Sequence, residues 1–354
     1  MVFKTYWVYA VVLCCLGSPA RSAGIQLLDS SPGLAGAIWY PCAGKPQSVP
    51  LGSLTMQFID SLQGVKECPV TGTKLPLVIV SHGRGGWFGG HDDVVEALAD
   101  AGFIVAAINH PGDNGSDRSQ SDSLSVLASR PADIIRLLDF VLNGWRDRAA
   151  IDHAKIGFFG FSAGAFTGLV LAGGNPDFRR IAPYCTESRK SLDCEQFRSG
   201  DIPSNLPREP RIRAAVLADT PLNYMFTREG LAEVQIPLLI WRSELGGGNV
   251  DPKNTAITAN SLPGKPDITP FRPVTLSSWH RARRSSRRTC RVFVPIRPAL
   301  TERPFTGTST RASLGSFANI LFAMARAVEP GATTGPLWTL SHQARWMRTR
   351  SAAG

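Results

Sequence analysis

The chain has no long apolar run and no cluster of metal ligands. Its 354 residues include only six histidines and seven cysteines, and no C-x-x-C or closely spaced His/Cys group supports a zinc site. The apolar N-terminal run at residues 6–16 is 11 residues long, whereas a membrane-spanning helix needs about 20. No internal repeat is visible. A zinc protein, a membrane span in this run and a repeat array are therefore not expected.

Lysine is absent from the C-terminal part of the chain. Residues 272–354 contain 14 arginines, no lysine and two acids, Glu302 and Glu329, for a net charge of +12. Because the whole chain carries +10, the remainder carries −2. The basic charge lies in a tail and not on a folded face, which argues against a nucleic-acid-binding domain.

The N-terminus has the pattern of a secretory signal peptide. Lys4 is the basic region, residues 6–16 are the apolar region, and Ser18-Pro-Ala20 or Ala20-Arg-Ser22 offers small residues for cleavage. The sequence therefore predicts a signal peptide over residues 1–22 and a secreted or periplasmic protein. With 43% hydrophobic residues, the rest of the chain can bury a sizeable core.

Export permits disulfides. Five cysteines follow the predicted signal, and proximity along the chain favours two pairs among them. Four cysteines permit three connectivities, so other pairings stay open. The expected pairs are Cys42 with Cys68 and Cys185 with Cys194, which leaves Cys290 unpaired.

Buried strand patterns alternate with helical ones along the middle of the chain. This alternation predicts an α/β fold with a doubly wound, mostly parallel sheet. We expect the folded domain at residues 24–282 and the basic, acid-poor tail at 283–354. Strands are predicted at residues 36–40, 77–80, 103–108, 155–159, 214–218, 237–241 and 274–276, with helices at 93–101, from Pro131 onward and at 165–172.

Gly160-Phe161-Ser162-Ala163-Gly164 stands between a predicted strand and a predicted helix. Strand, G-x-S-x-G and helix in this order are typical of the nucleophile elbow of α/β-hydrolases. The turn is so tight that only small residues fit two positions before and after the serine. The pattern predicts that Ser162 is a nucleophile raised above the sheet, although a serine in a glycine-rich turn is the plainer alternative.

A serine nucleophile needs a base, an acid that orients the base, and donors for the oxyanion. The order in this fold is Ser, then Asp or Glu, then His. Asp219, at the end of a predicted strand, is the first candidate for the acid, with Glu244 and Asp251 in reserve. His280 is the candidate base. The backbone amides of Arg84 and Ala163 are the candidate oxyanion donors.

The other histidines receive lesser roles. His82 precedes the nucleophile, so we interpret it as an orienting residue of its loop. His110 and His153 are expected in loops, and His91 is expected near the mouth of the cleft. His342 lies deep in the tail and is expected at the surface.

The stretches 76–83, 101–110, 151–164 and 215–219 together resemble the bacterial predicted dienelactone hydrolases and the plasma-type platelet-activating-factor acetylhydrolases. The resemblance runs from about residue 36 to 270. It implies an acid at Asp219 and oxyanion amides at Arg84 and Ala163. True dienelactone hydrolases use a cysteine nucleophile, so Ser162 indicates carboxylester chemistry instead.

The resemblance ends after residue 271. Relatives continue with a histidine-bearing segment and a final helix, whereas this chain turns to arginine, serine, threonine and proline. A reading-frame shift in a GC-rich gene explains the break and is the favoured interpretation. A genuine basic, disordered tail that contacts anionic lipid or lipopolysaccharide is the alternative. A shift before residue 280 would make His280 a coincidence.

The sequence thus predicts an exported serine carboxylester hydrolase acting on a small or lipid-like ester, for which short acyl chains are an analogy. No cofactor is implied, because serine acyl transfer needs none, and no nucleic-acid partner is expected. The alternatives are a catalytically impaired hydrolase-like protein and a surface-binding protein that uses the basic tail for weak contact with anionic membranes. Oligomeric state is left open.

Overall fold

We describe residues 21–29, 33–56, 59–244 and 251–271 in a computed structural model of the chain. Several sequence-based expectations lie outside these residues: the strand at 274–276, His280, Cys290, His342 and the basic tail at 283–354. The leader prediction lies outside them as well, except for its last two residues.

Within the described residues, ten strands form one sheet in the order β10-β9-β8-β7-β5-β6-β2-β1-β4-β3. The six strands from β10 to β6 run parallel, and β2 pairs antiparallel with both β6 and β1. The strands are β1 Arg21–Leu28, β2 Gly36–Ala43, β3 Gln47–Pro50, β4 Ser61–Lys66, β5 Leu75–Ser81, β6 Ile104–Ile108, β7 Ile151–Phe161, β8 Ala214–Ala218, β9 Leu238–Ser243 and β10 Asp267–Phe271.

Helices cover both faces of this sheet. The α-helices are α1 Asp92–Asp100, α2 Leu124–Asp139, α3 Ala163–Leu171, α4 Leu192–Ser199 and α5 Pro252–Ser261. A π-helical turn, Phe140–Gly144, continues α2. Short 3₁₀ helices lie at Gly52–Leu54, Arg148–Ala150, Phe178–Tyr184 and Asn223–Met225.

Alternation along the central strands builds two separate cores. In β5, Leu77 and Ile79 point into one core, and Val78 and Val80 point into the other. Side chains of α2 and α3 fill the first core, and side chains of α1 fill the second. A parallel strand that is buried on both faces needs an unbroken apolar run, and this is the pattern of residues 77–80.

These observations confirm the predicted fold class. The strand predicted at 214–218 coincides with β8, and the other central strands differ from the predictions by a few residues at their ends. Strands β1, β3, β4 and β10 were not predicted. They are short or lie toward the sheet's edges, where pairing partners and not an apolar run decide the conformation.

One helix boundary was predicted wrongly. Pro131 does not open α2, which begins seven residues earlier at Leu124. The Ser123 hydroxyl accepts a hydrogen bond from the Val126 amide and caps the helix. Pro131 lies buried inside the helix, where packing on the sheet outweighs the loss of one backbone donor.

The four cysteines expected to pair do so in the described region. Cys42 joins Cys68 with Cα atoms 6.2 Å apart, and Cys185 joins Cys194 with Cα atoms 5.3 Å apart. β1 begins at Arg21 and so overlaps the last two residues of the predicted signal. Among the helices described, none is both long and apolar enough to cross a bilayer.

Candidate functional site

Ser162 occupies the turn between β7 and α3. Its backbone has φ 52° and ψ −117°, a conformation that L-residues with a side chain rarely adopt. The Ser162 amide donates to the Ala218 carbonyl at 2.8 Å, which ties the turn to the end of the neighbouring strand β8. The residue is half-buried. The backbone therefore has the sharp strand-to-helix corner that the G-x-S-x-G pattern predicts.

The two glycines of the pattern have no room for a side chain. A Cβ on Gly160 would clash with the Gly164 carbonyl and stand 2.7 Å from the Ala165 nitrogen. A Cβ on Gly164 would clash with the Ser81 carbonyl and stand 3.0 Å from the His82 oxygen. These neighbours are backbone atoms, which cannot swing aside. The glycines let α3 start directly against the end of β5.

The segment of residues 82–86 follows β5, and its Gly83 lies next to Ser162. It is called the oxyanion loop here because it contains Arg84, a candidate oxyanion donor. A Cβ on Gly83 would stand 3.4 Å from the Ser162 Cβ. The Gly85 and Gly86 amides donate to Asp113 and to Gly83, whereas the Arg84 amide has no acceptor among the described residues. The Arg84 side chain is exposed and pairs with Asp122, and the oxyanion prediction concerns the backbone amide of Arg84 alone.

Ala163 is the first residue of α3. Amides in the first turn of a helix have no acceptor within the helix, and the helix dipole adds partial positive charge there. The Ala163 amide and the Arg84 amide therefore belong to the two segments that adjoin Ser162, as an oxyanion hole would require.

Asp219 directly follows β8. The residue before it, Ala218, accepts the hydrogen bond from the Ser162 amide, so Asp219 adjoins the turn that carries Ser162. It is 4% exposed and has a positive φ of 51°. Its carboxylate accepts hydrogen bonds from the Ser243 amide at 2.8 Å and from the Ser243 hydroxyl at 2.5 Å. Burial raises the pKa of Asp219, and the bonds from Ser243 lower it in part.

The reserve acids are placed differently. Glu244 is exposed, one residue beyond the end of β9. The Asp251 side chain accepts from the Lys253 amide and caps α5, which is a structural role. His280 lies outside the described residues, so the described site contains the candidate nucleophile, acid and amides but not the candidate base.

Two of the remaining histidines are more buried than a loop position implies. His110 lies in the loop after β6, as expected, but it is fully buried there. His82 is also buried, and its Nε2 accepts from the His110 amide at 3.2 Å. Burial, followed by the charge of Arg130, holds the pKa of each ring well below its usual value. Both rings are therefore neutral near pH 7.

The other two described histidines lie apart from this network. His91 precedes α1, and its ring packs edge-on against Phe159 and Phe161, with centroids 5.5 and 5.3 Å away. Burial lowers the pKa of His91 to about 4. His153 is exposed within β7 and not in a loop, because β7 extends four residues further toward the N-terminus than expected.

Sequence reasoning missed a buried polar network beneath the oxyanion loop. Ser81 Oγ and His110 Nε2 are 2.9 Å apart, and His110 Nδ1 and Asp133 Oδ2 are also 2.9 Å apart. This Ser-His-Asp order imitates a catalytic triad, but Ser81 is 0% exposed and no ester can reach it. The available signal was Arg130 and Asp133 on the helix face that also carries the buried residues Ile134 and Leu137.

Among the described residues, no group of three or more His, Cys, Asp or Glu side chains is arranged to hold a metal ion. Ser162, Asp219 and the two amides are groups that acyl transfer at a serine requires, apart from the base, which lies outside the described residues. A neighbouring carboxylate can orient a base, and two backbone amides can stabilise negative charge on a tetrahedral oxygen.

Comparison with known families agrees with this architecture. A family model for the alpha/beta hydrolase fold matches residues 76–222, which span β5 to the loop after Asp219. The chain therefore has the α/β-hydrolase fold. Fold and match together support a hydrolase in general. No curated protein matches the chain.

Proposed function

We propose that the protein is an exported serine carboxylester hydrolase. Ser162 is the nucleophile, Asp219 orients the base, and His280 is the base. The amides of Arg84 and Ala163 form the oxyanion hole. The observation that carries this proposal is the strained corner at Ser162, because a serine at φ 52° between a buried strand and a helix has no evident packing purpose.

In the proposed mechanism, the imidazole of His280 removes the proton from the Ser162 hydroxyl as its oxygen attacks the ester carbonyl. The carbonyl oxygen becomes an oxyanion and accepts hydrogen bonds from the two amides. The carbon–oxygen bond to the alcohol then breaks, and the imidazolium protonates the departing alkoxide. Water attacks the acyl-enzyme by the same route, which releases the acid and restores Ser162.

The substrate proposal rests on resemblance. The sequence similarity to plasma-type platelet-activating-factor acetylhydrolases favours a small or lipid-like ester with a short acyl chain. Two features support export: the signal-like residues 1–22 and the two disulfides, which are compatible with an extracellular protein.

The test compares the purified wild type with Ser162→Ala. We expect the wild type to hydrolyse p-nitrophenyl acetate and to react covalently with a fluorophosphonate probe, and Ser162→Ala to lose both properties. Ser199→Ala changes an exposed helical serine and is the matched control, with wild-type turnover and labelling. Equal labelling of wild type and Ser162→Ala would count decisively against the proposal.

The rival proposal is a hydrolase-like protein without a functional base. It is favoured by the composition break after residue 271. His280→Ala separates the two, because loss of a triad member removes several orders of magnitude of rate. A large loss of turnover assigns the base to His280. Weak wild-type turnover that His280→Ala leaves unchanged supports the rival, and translation of codons 265–300 in all three frames then identifies any shift.

A further inference from the structure

Arg130 is a fully buried arginine in the middle of α2. Burial of a guanidinium is unfavourable unless its donors are all used, and an apolar side chain would fill the same space without that cost. Unlike an apolar side chain, the planar guanidinium donates several hydrogen bonds in fixed directions, so it can hold its partners in a defined geometry. The partners of those bonds indicate what Arg130 holds in place.

Two of these contacts hold the start of the oxyanion loop. Arg130 Nη2 donates to the carbonyl oxygen of His82 and to the Ser81 hydroxyl, the latter at 3.2 Å. His82 is the first residue of the oxyanion loop, and its carbonyl lies two residues before the Arg84 amide. Its ring adds no charge beside Arg130, because burial holds the pKa of His82 well below its usual value.

A third contact holds the start of α3. Arg130 Nε donates to the Thr167 hydroxyl at 3.3 Å, and that hydroxyl donates to the Ala163 carbonyl at 3.0 Å. One guanidinium thus contacts the loop that carries Arg84 directly, and the first turn that carries Ala163 through the Thr167 hydroxyl.

The fourth contact extends the same support to the other side of Arg84. Arg130 Nη1 pairs with Asp113 Oδ2 at 2.5 Å. Asp113 Oδ1 accepts from the Gly85 amide at 2.8 Å and from the Ser121 hydroxyl at 2.6 Å. The ion pair therefore holds His82 on one side of Arg84 through Arg130 and Gly85 on the other side through Asp113.

We propose that the Arg130–Asp113 ion pair is a positioning device that sets the distance and orientation between the Arg84 and Ala163 amides. This inference rests on the proposed function, in which those amides bind the oxyanion. Arg130 acts through the backbone and does not touch the substrate. We expect Arg130 to stabilise the tetrahedral intermediate and not the bound ester. If the two amides are slightly misplaced, the ester still binds, but the oxyanion is stabilised poorly.

The test uses Arg130→Met and Asp113→Asn, with Arg130→Lys as the conservative variant. Arg211→Met is the matched control, because Arg211 also pairs with a buried carboxylate, Glu209, and lies in the turn before β8, outside the Arg130 network. Asp113→Asn preserves size and keeps an acceptor, so it provides a folded variant should Arg130→Met fail to fold.

Loss of a well-placed oxyanion donor lowers kcat by about 10²–10³, so we expect kcat to fall roughly 10²-fold in Arg130→Met and less in Asp113→Asn, with KM within about threefold. The inhibition constant of a trifluoromethyl ketone, which forms an oxyanion adduct with serine, should rise by the same factor as kcat/KM falls. The kcat of Arg130→Lys should lie between those of the wild type and Arg130→Met, because an ammonium keeps the charge but cannot reach all four partners. Arg211→Met should keep wild-type kcat.

Hydrogen exchange provides a readout that does not depend on catalysis. The amides of residues 82–88 should exchange faster in the Arg130 and Asp113 variants than in Arg211→Met. Wild-type exchange and kcat in a folded variant overturn the inference. Faster exchange with unchanged inhibitor affinity also overturns it, since the pair would then be structural only. Wild-type protein without Ser162-dependent turnover instead refutes the proposed function, whatever the exchange shows.

Discussion

Among the described residues, Ser243 is the one that donates hydrogen bonds to the buried carboxylate of Asp219. Both oxygens of Asp219 accept hydrogen bonds from that residue, one from the backbone amide and one from the hydroxyl. Because burial opposes ionisation of Asp219, these bonds favour the charged form that can orient an imidazole. Ser243 ends β9, the strand next to β8, so the sheet itself delivers this partner.

We expect Ser243→Ala to lower kcat/KM by roughly 10- to 100-fold with a small change in KM, because a hydrogen bond to a charged group contributes about 1.5–3 kcal/mol. The remaining backbone amide holds one oxygen, so activity is reduced and not abolished. Steady-state kinetics on p-nitrophenyl acetate measure the effect. Ser261→Ala, at the half-buried last residue of α5, is the control. Wild-type kcat/KM in Ser243→Ala would remove Ser243 from the description of the site.

At the scale of elements, the strand-to-helix corner at Ser162 depends on how closely α3 approaches β5 and β7. The glycine pattern is a consequence of that approach, because backbone atoms of Ser81 and Gly164 occupy the space that side chains at Gly164 and Gly160 would need. Strand, turn and helix are thus packed as one unit. A change in either glycine must displace the corner as a whole.

We expect Gly164→Ala to lower the free energy of unfolding by about 1–3 kcal/mol or more, because 1–3 kcal/mol is the usual cost of overpacking in a dense interior. Its Cβ would stand 2.7 Å from the carbonyl carbon of Ser81. Gly264→Ala is the matched control, since nothing lies within 4 Å of its added methyl group. Chemical denaturation of both variants measures the difference. Equal stability of the two would show that the corner can relax around a methyl group.

For the whole molecule, buried histidines link stability to acidity. His82, His91 and His110 all have a pKa below the ordinary value of 6.5 in the folded state. The unfolded chain therefore binds more protons than the folded chain once the pH falls below about 6.5. The three neutral histidines therefore cost no stability above that pH, and the free energy of unfolding falls as the solution becomes more acidic.

His91 offers the clearest test, because its pKa is lowered to about 4. At pH 5 this shift should account for about 2 kcal/mol of the fall in unfolding free energy. We expect His91→Phe, which keeps the aromatic packing, to lose that much less stability than wild type between pH 7.5 and pH 5. Denaturant titrations at both pH values measure it. His153→Gln, at an exposed histidine, is the control. An unchanged pH dependence in His91→Phe would show that this ring does not titrate as described.

What could be predicted from the sequence was local. The G-x-S-x-G corner, the apolar run at residues 77–80 and the strand that ends before Asp219 each have a pattern within a few residues, because the backbone conformation there depends on near neighbours. Those patterns sufficed for the fold class and for the candidate nucleophile and acid.

The rest required contacts between distant parts of the chain. Strand β1 is defined by pairing with β2 and β4, and neither partner is visible in its own residues. His110 lies in a loop, as expected, but its burial was not predicted, because Ser81 and Asp133 contact it from β5 and α2. Arg130, Asp113 and Ser243 acquire their roles in the same way. A side chain's chemistry belongs to the residue, but its partners are decided by tertiary packing, and burial makes those partners obligatory.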